Sequence, residues 1–309
     1  MNHQHTQTLR GKQLLALLDS TSSLDMLADV NLDGCRLKTL PDSFAHFTNL
    51  KTLSLYHNDL AALPNSVWQL TTLTTLNLAA NQFSSIPENI GNLARLQMLD
   101  LGHNELTFLP ESLGDLRDLA FIYLSNNRLT DLPSSLRFLK SLVYLNITDN
   151  QLTSLPEWIA ELDRLTEFRL YNNFLAHLPA SLGRLANLKE LHVMNNKLTT
   201  LPATIGDLSG LRKLILQSNE ITALPDSIAN LTQLTDLDLR YNKLASLPDT
   251  LANLRSLRFL DLRANQLASL PASLSTMVSL EKLDLRWNKL STYPDWLQPL
   301  EQRSCIVYI

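Results

Sequence analysis

A 23-residue period runs through almost the whole chain and constrains its fold more than any other feature. An asparagine marks the period: it returns at every 23rd position from Asn58 to Asn288, with Cys35 at the equivalent position of the first repeat. A proline follows six residues later in every repeat, and this accounts for twelve of the thirteen prolines. The period defines twelve repeats over residues 27–302 without insertion or deletion, and it predicts one elongated stack.

The residues before each asparagine predict a short β-strand. In one repeat, the apolar Phe168 and Leu170 alternate with Glu167, Arg169 and Tyr171, the period of a half-buried strand. One strand cannot bury its apolar row alone, so stacked repeats place strand beside strand at about 4.7–4.9 Å and share a continuous core. The asparagine amide is expected to bond turn groups of its own and the adjacent repeat. The proline fixes φ and removes a donor, which predicts short return segments.

The pattern L-x-x-L-x-L-x-x-N-x-L resembles the leucine-rich repeat over about nine-tenths of the chain. The 23-residue form, with L-P after the asparagine, is similar to repeats of bacterial intracellular leucine-rich repeat proteins, the Ras-group scaffold and plant intracellular groups. The resemblance implies an α/β solenoid, a right-handed horseshoe with a parallel inner β-sheet and short 3-10 or extended convex segments. It implies no enzymatic activity. We also expect no cofactor and no metal, since no P-loop, G-x-G-x-x-G or H-E-x-x-H motif occurs.

The two ends of the chain depart from the repeat pattern and are predicted to cap it. The predicted parts are a disordered tail with an N-terminal cap helix (residues 1–26), twelve repeats (residues 27–302) and a C-terminal capping strand (residues 303–309). The cap helix is expected over Thr8–Asp19. In the capping strand, Ile306 and Tyr308 are predicted to align with Leu283 and Leu285.

Composition excludes several classes of protein. The net charge is −4, with 26 basic and 30 acidic residues, and this argues against a nucleic-acid binder. No apolar run approaches the roughly 18 residues of a membrane span.

Cys35 and Cys305 are expected on the order of 50 Å apart, too far for a disulfide. No apolar signal segment follows Met1, so a cytoplasmic location is expected.

Functional information is expected at the strand positions that point away from the core, which lie six, four, two and one residues before each asparagine. In the middle repeats these positions hold residue types enriched at binding hot spots. The predicted partner-binding patch comprises Phe121, Tyr123, Tyr144, Glu167, Arg169, Tyr171, His192, Met194 and Ile215. The alternative is that these side chains only stabilise the sheet by cross-strand packing, worth about 0.2–1 kcal/mol per pair.

A second candidate lies in the last repeats, where an aspartate column stands beside an arginine column. The residues are Asp238, Asp261 and Asp284, then Arg240, Arg263 and Arg286, with Tyr241, Phe259 and Trp287 at the flank. Two interpretations remain open: a self-neutralising lattice and a charged docking strip. On the convex side, Trp68, Trp158 and Trp296 are either gap fillers or contact points for a partner.

These observations predict a non-enzymatic protein–protein interaction module, a bacterial scaffold or adaptor that binds a protein partner on its concave face. One alternative is a secreted effector or surface adhesin that binds host protein. Another is the substrate-recognition part of a larger enzyme, such as a ubiquitin ligase or kinase. A monomer is predicted, with an end-to-end dimer through the last strand edge as the alternative.

Overall fold

The structure is a computed structural model, and it describes residues 7–10, 24–292 and 294–309. Two compact bodies divide the chain: Met1–Gln151, called the N-terminal body, and Leu152–Ile309, called the C-terminal body. Each body contains a parallel sheet of short strands, and a short 3-10 segment follows almost every strand. The predicted α/β solenoid fold is therefore confirmed.

In the described part of the chain, seven strands form the sheet of each body, in chain order. In the N-terminal body they are β1 (Gln7–Arg10), β2 (Leu27–Asn31), β3 (Thr52–Ser54), β4 (Thr75–Asn77), β5 (Met98–Asp100), β6 (Phe121–Tyr123) and β7 (Tyr144–Asn146). In the C-terminal body they are β8 (Glu167–Arg169), β9 (Glu190–His192), β10 (Lys213–Ile215), β11 (Asp236–Asp238), β12 (Phe259–Asp261), β13 (Lys282–Asp284) and β14 (Ile306–Tyr308). In β10 and β11, for example, Lys213 lies opposite Asp236, one period further on.

The return segments are short 3-10 helices, as the prolines predict. In the N-terminal body they span Leu24–Met26, Asp42–His46, Val67–Gln69, Glu88–Asn92, Glu111–Asp115 and Ser134–Phe138. In the C-terminal body they span Glu157–Glu161, Ala180–Arg184, Ala203–Asp207, Asp226–Asn230, Asp249–Asn253, Ala272–Thr276 and Asp295–Leu297, and α-helix α1 (Gln298–Gln302) follows. Pro179, at φ −67° and ψ 147°, is extended and directly precedes one of them. Among the described residues, none of the helices combines the length and apolar composition that crossing a membrane demands.

The core of each body is built from the apolar positions of the repeat. Phe168 and Leu170 are fully buried, while their neighbours Glu167 and Arg169 remain partly exposed. Burying a side chain of this size stabilises the fold by about 1.5–3 kcal/mol relative to leaving it in water. Trp68 is also buried, which identifies it as a gap filler.

The asparagine side chains form hydrogen bonds with backbone groups of the turn that ends each strand, as the sequence predicts. Asn196 Nδ2 donates to the carbonyls of Leu170 and Val193, each at 3.1 Å. Its Oδ1 accepts from the backbone N–H of Leu175 at 3.0 Å. Leu170 and Leu175 belong to the preceding repeat, so each amide joins two repeats. The buried donors and acceptors of the turn thereby find partners.

Two details at the ends differ from the sequence expectation. Strand β1 occupies Gln7–Arg10 and covers the edge of β2, so the predicted cap helix does not begin at Thr8. The remainder of that helix lies outside the described residues. In β14, Ile306 lies opposite Lys282 rather than Leu283. Helix α1 lengthens the last return segment, and this shifts the register by one residue and reverses the faces. Ile306 and Tyr308 are consequently exposed, and Cys305 is buried.

Candidate functional site

Three predicted patch residues lie in the N-terminal body and form an aromatic cluster. Phe121 on β6 is 41% exposed, and Tyr123 and Tyr144 are partly exposed. The rings of Tyr123 and Tyr144 lie 4.9 Å apart between centroids and are tilted by 39°. Aromatic pairs at this separation are mutually stabilising, so the cross-strand packing interpretation accounts for part of this cluster.

The predicted patch residues on β8 and β9 form an ion-pair network in the C-terminal body. Arg169 Nε donates to Glu167 Oε1 at 2.6 Å. Glu190 lies 3.1 Å from His192 Nε2 and 2.9 Å from Lys213 Nζ. Burial acts to raise the pKa of Glu190, but hydrogen bonds and charges from Lys213 and His192 outweigh it and lower that pKa. The hydrogen bond to Glu190 raises the pKa of Lys213 in turn.

This network also contains a set of side chains with metal-binding chemistry. Ligand atoms of Glu167, Glu190 and His192 all lie within 4.8 Å of one another. A divalent ion there would compete with Arg169 and Lys213, which already bind the two carboxylates. The arrangement is therefore explained as a charge network that orients these side chains. Tyr171, Met194 and Ile215, the other predicted patch residues of this body, are partly exposed.

The aspartate and arginine columns form a staircase of ion pairs. Arg240 Nε lies 3.1 Å from Asp238, two residues earlier in the chain, and Arg240 Nη1 lies 3.9 Å from Asp261 of the next repeat. Arg263 contacts Asp261 at 2.6 Å. Burial raises the pKa of Asp238, although Arg240 acts against it.

The last step of the staircase is centred on Asp284, which is completely buried. Arg286 Nη2 contacts it at 2.7 Å and Arg263 Nε at 3.4 Å. Burial acts to raise the pKa of Asp284, but the hydrogen bonds from Arg286 and the charges of Arg263 and Arg286 together lower it. The arginine and aspartate side chains of the two columns thus form ion pairs with each other. This geometry favours the self-neutralising lattice over the charged docking strip.

The aromatic fringe of this staircase is solvent-exposed. Tyr241, Phe259 and Trp287 are 51%, 37% and 64% exposed, respectively. Tyr241 and Trp287 also have left-handed backbone, with φ of 56° and 62°. Bulky residues are uncommon in this conformation, whereas asparagine is tolerated there. The fold does not require large side chains at these two positions, so their presence calls for a different explanation.

An open hollow of about 220 Å³ lies beside the fringe, on the outward face of β10 to β13. Its outward-facing side chains are Ile215, Asp236, Asp238, Phe259, Asp261 and Lys282. The sequence prediction missed Asp236 and Lys282. Both stand six residues before an asparagine, a position already assigned to the outward face, so the repeat grid contained the signal. We call the outward side chains of β8–β13, together with those of the residues between each of these strands and its asparagine, the open face.

Comparison with known families and structures accords with this architecture. A leucine-rich repeat region model matches residues 73–170, a leucine rich repeat model matches residues 25–83, 163–221 and 209–267, and a further Leucine Rich Repeat model matches residues 279–300. Comparison with curated protein sequences gave no match.

Solved structures extend the likeness over most of the chain. A leucine-rich repeat protein of Leptospira interrogans is 35% identical, with a TM-score of 0.87 over 92% of this chain and 73% of that one. The ectodomain of the receptor kinase GASSHO1/SCHENGEN3 from Arabidopsis thaliana, solved in complex with CASPARIAN STRIP INTEGRITY FACTOR 2, is 31% identical, with a TM-score of 0.72. That match covers 92% of this chain and 37% of the receptor. An internalin of Listeria monocytogenes shares the fold at 22% identity and a TM-score of 0.76, over 95% and 92% of the two chains.

The fold and these matches define a class of binding module built from stacked repeats. The chain belongs to the leucine-rich repeat proteins. The fold of this family is that of a protein–protein interaction module, and its members generally serve as non-enzymatic binding modules.

Proposed function

We propose that this chain is a scaffold or adaptor, without enzymatic activity of its own, that binds a protein partner on the open face of its C-terminal body. The observation that carries the proposal is the exposed fringe of Tyr241, Phe259 and Trp287. Aromatic residues are enriched at the energetic centres of protein interfaces. Two of the three occupy left-handed positions that favour smaller polar residues, so folding stability does not account for them.

The charge lattice beneath the fringe supports the same proposal. Its arginines and aspartates hold one another in fixed positions, which lowers the entropy that a partner's binding must remove. The GASSHO1 ectodomain, a relative at 31% identity, is described in complex with CASPARIAN STRIP INTEGRITY FACTOR 2. We extend partner binding to this chain by analogy.

Site-specific photocrosslinking in the source cell tests the proposed face. We would place benzoylphenylalanine at Tyr241 or Trp287, and at Val278 as a matched control. Val278 is in the same body, follows a 3-10 helix and is 70% exposed. We expect the same discrete adduct from both fringe positions and none from Val278. Equal adducts at Val278, or none at the fringe, would show that the partner-binding face is wrongly placed.

A further inference from the structure

Three outward residues in adjacent strands form a column with a distinctive order of charge. Asp236 on β11 lies directly opposite Phe259 on β12, and Phe259 lies directly opposite Lys282 on β13. The column thus contains an acid, an aromatic ring and a base. Adjacent strands are about 4.7–4.9 Å apart, which separates the backbones of Asp236 and Lys282 by about 10 Å. All three side chains line the hollow of the open face.

Among the described residues, Asp236 has a hydrogen-bond partner but no ion-pair partner. Its carboxylate accepts from the hydroxyl of Thr235 at 2.6 Å. Within the described ranges, no cationic group lies within 4.0 Å of it. Lys213 and Arg258 attract the charge of Asp236 from a greater distance, but Lys213 pairs with Glu190 at 2.9 Å and Arg258 with Glu281 at 2.7 Å.

Lys282 is the corresponding cation, and among the described residues it has no carboxylate partner. Its Nζ lies 5.4 Å from the centroid of the Tyr308 ring, and no carboxylate of the described part of the chain lies within 4.0 Å. Between the two charges, Phe259 is 37% exposed, and Arg258 stands 5.2 Å from its ring centroid. Ile215 adds apolar surface on the other side of the hollow.

Asp236 differs from the other two carboxylates of the hollow, because those two are paired with arginines. Asp238 and Asp261 line the same hollow, and both are held by Arg240, with Arg263 also on Asp261. The aspartates and arginines of the staircase are paired with one another, whereas Asp236 and Lys282 can each form an ion pair with a charged group of the partner. A cation beside Asp236, an apolar group on Phe259 and an anion beside Lys282 would complement all three.

We propose that this column binds an extended segment of the protein partner that carries a lysine or arginine, an apolar residue and an aspartate or glutamate, in that spatial order. The inference rests on the proposed function and specifies the partner's chemistry. In a polyproline II segment, which rises about 3.1 Å per residue with three residues per turn, side chains three apart share a face and span about 9 Å. The partner's two charges are therefore expected about three residues apart.

Selection from a random peptide library tests the order of charges. The bait is the full chain, as wild type and as the double variant Asp236→Lys with Lys282→Asp, which keeps the net charge. We expect wild type to enrich peptides with a basic and an acidic residue about three apart in one order along the peptide. The double variant should enrich the reverse order. Circular dichroism and thermal melting verify that the variant is folded.

A matched swap and two neutral variants sharpen the test. Glu220→Lys with Lys243→Glu reverses an ion pair of 2.7 Å in the same body and should leave the enriched order unchanged. Asp236→Asn and Lys282→Gln should each weaken a selected peptide by about three- to tenfold in fluorescence anisotropy. The proposal is overturned if wild type enriches no charged pattern, if the column swap leaves the order unchanged, or if the control swap reverses it.

The two proposals fail in different ways. Crosslinks at Tyr241 and Trp287, together with peptides that ignore the column swap, would retain the binding face and reject the charge column. If the crosslinks are absent but the peptide selection responds to the column swap, the column binds peptides and the proposed partner-binding face is wrong.

Discussion

At the scale of single residues, the repeat separates side chains that hold the turn from side chains that face solvent. Asn196 bonds four backbone groups, and two of them belong to the preceding repeat. We expect Asn196→Ala to destabilise the protein by about 1–3 kcal/mol, because buried donors and acceptors lose their partner. Thermal or urea denaturation measures the loss. Tyr171→Ala, at a partly exposed outward position, should cost much less, and equal losses would contradict the division.

The left-handed position before each asparagine leads to a second prediction. Tyr241 has φ of 56°, while Asn172 and Asn195 occupy the same place in other repeats. Tyr241→Asn should therefore raise stability by about 0.5–1 kcal/mol, since asparagine tolerates this conformation better and little packing is lost. The same substitution should weaken partner binding.

Phe259→Asn provides the control for that prediction, because Phe259 lies in a regular strand where asparagine is disfavoured. Both variants lose an exposed aromatic ring, but only Phe259→Asn should lower the melting temperature. A loss of stability in Tyr241→Asn as large as that in Phe259→Asn would show that the left-handed position imposes no strain on tyrosine.

At the scale of secondary-structure elements, neighbouring 3-10 helices pack closely enough to require glycine at some positions. A Cβ placed on Gly183 would clash with the carbonyl oxygen of Thr204 in the next helix. We expect Gly183→Ala to destabilise the protein by about 1–3 kcal/mol in chemical denaturation, because backbone cannot move aside without disturbing its own hydrogen bonds. Gly102→Ala serves as control: its nearest contact is the Ser125 hydroxyl at 3.1 Å, which can rotate away.

Strands, turns and return segments could be predicted from the sequence because each is repeated twelve times, and a period-2 pattern beside a fixed asparagine admits few arrangements. The register of β14 could not be predicted, since it depends on helix α1, which lengthens the last return segment beyond the period. The sequence was enough to predict the outward columns. It was not enough to predict which charges form ion pairs within them, because a long side chain such as that of Arg240 reaches either of two aspartates.

At the scale of the whole molecule, the acid response depends on buried carboxylates with opposite pKa shifts. Asp284 has its pKa lowered from the usual 3.8, so its stabilising effect is complete above that value and is lost as the pH falls through the lowered pKa. Glu190, whose pKa is also lowered, acts in the same direction from about 4.5 downward. Asp238 acts oppositely: burial raises its pKa, and stability is gained as the pH falls through that raised value.

Melting temperatures measured from neutral pH to about pH 3 test these signs. The wild type should lose stability at the acidic end. Asp284→Asn should be less stable at neutral pH and show a shallower acid loss, whereas Asp238→Asn should show a steeper one. If Asp284→Asn follows the wild-type slope, the ion pairs with Arg263 and Arg286 do not govern the acid response.

The asparagine amides have a consequence for how such a chain changes length over generations. In the described repeats of the C-terminal body, the asparagine amide closes the turn of its own repeat and completes the one before it, so these joints are chemically alike. A duplication or deletion of 23 residues, or a multiple of 23, rejoins the same partners. The gene can therefore gain or lose binding surface in whole repeats while the scaffold is preserved, and the outward columns are free to diverge after each event.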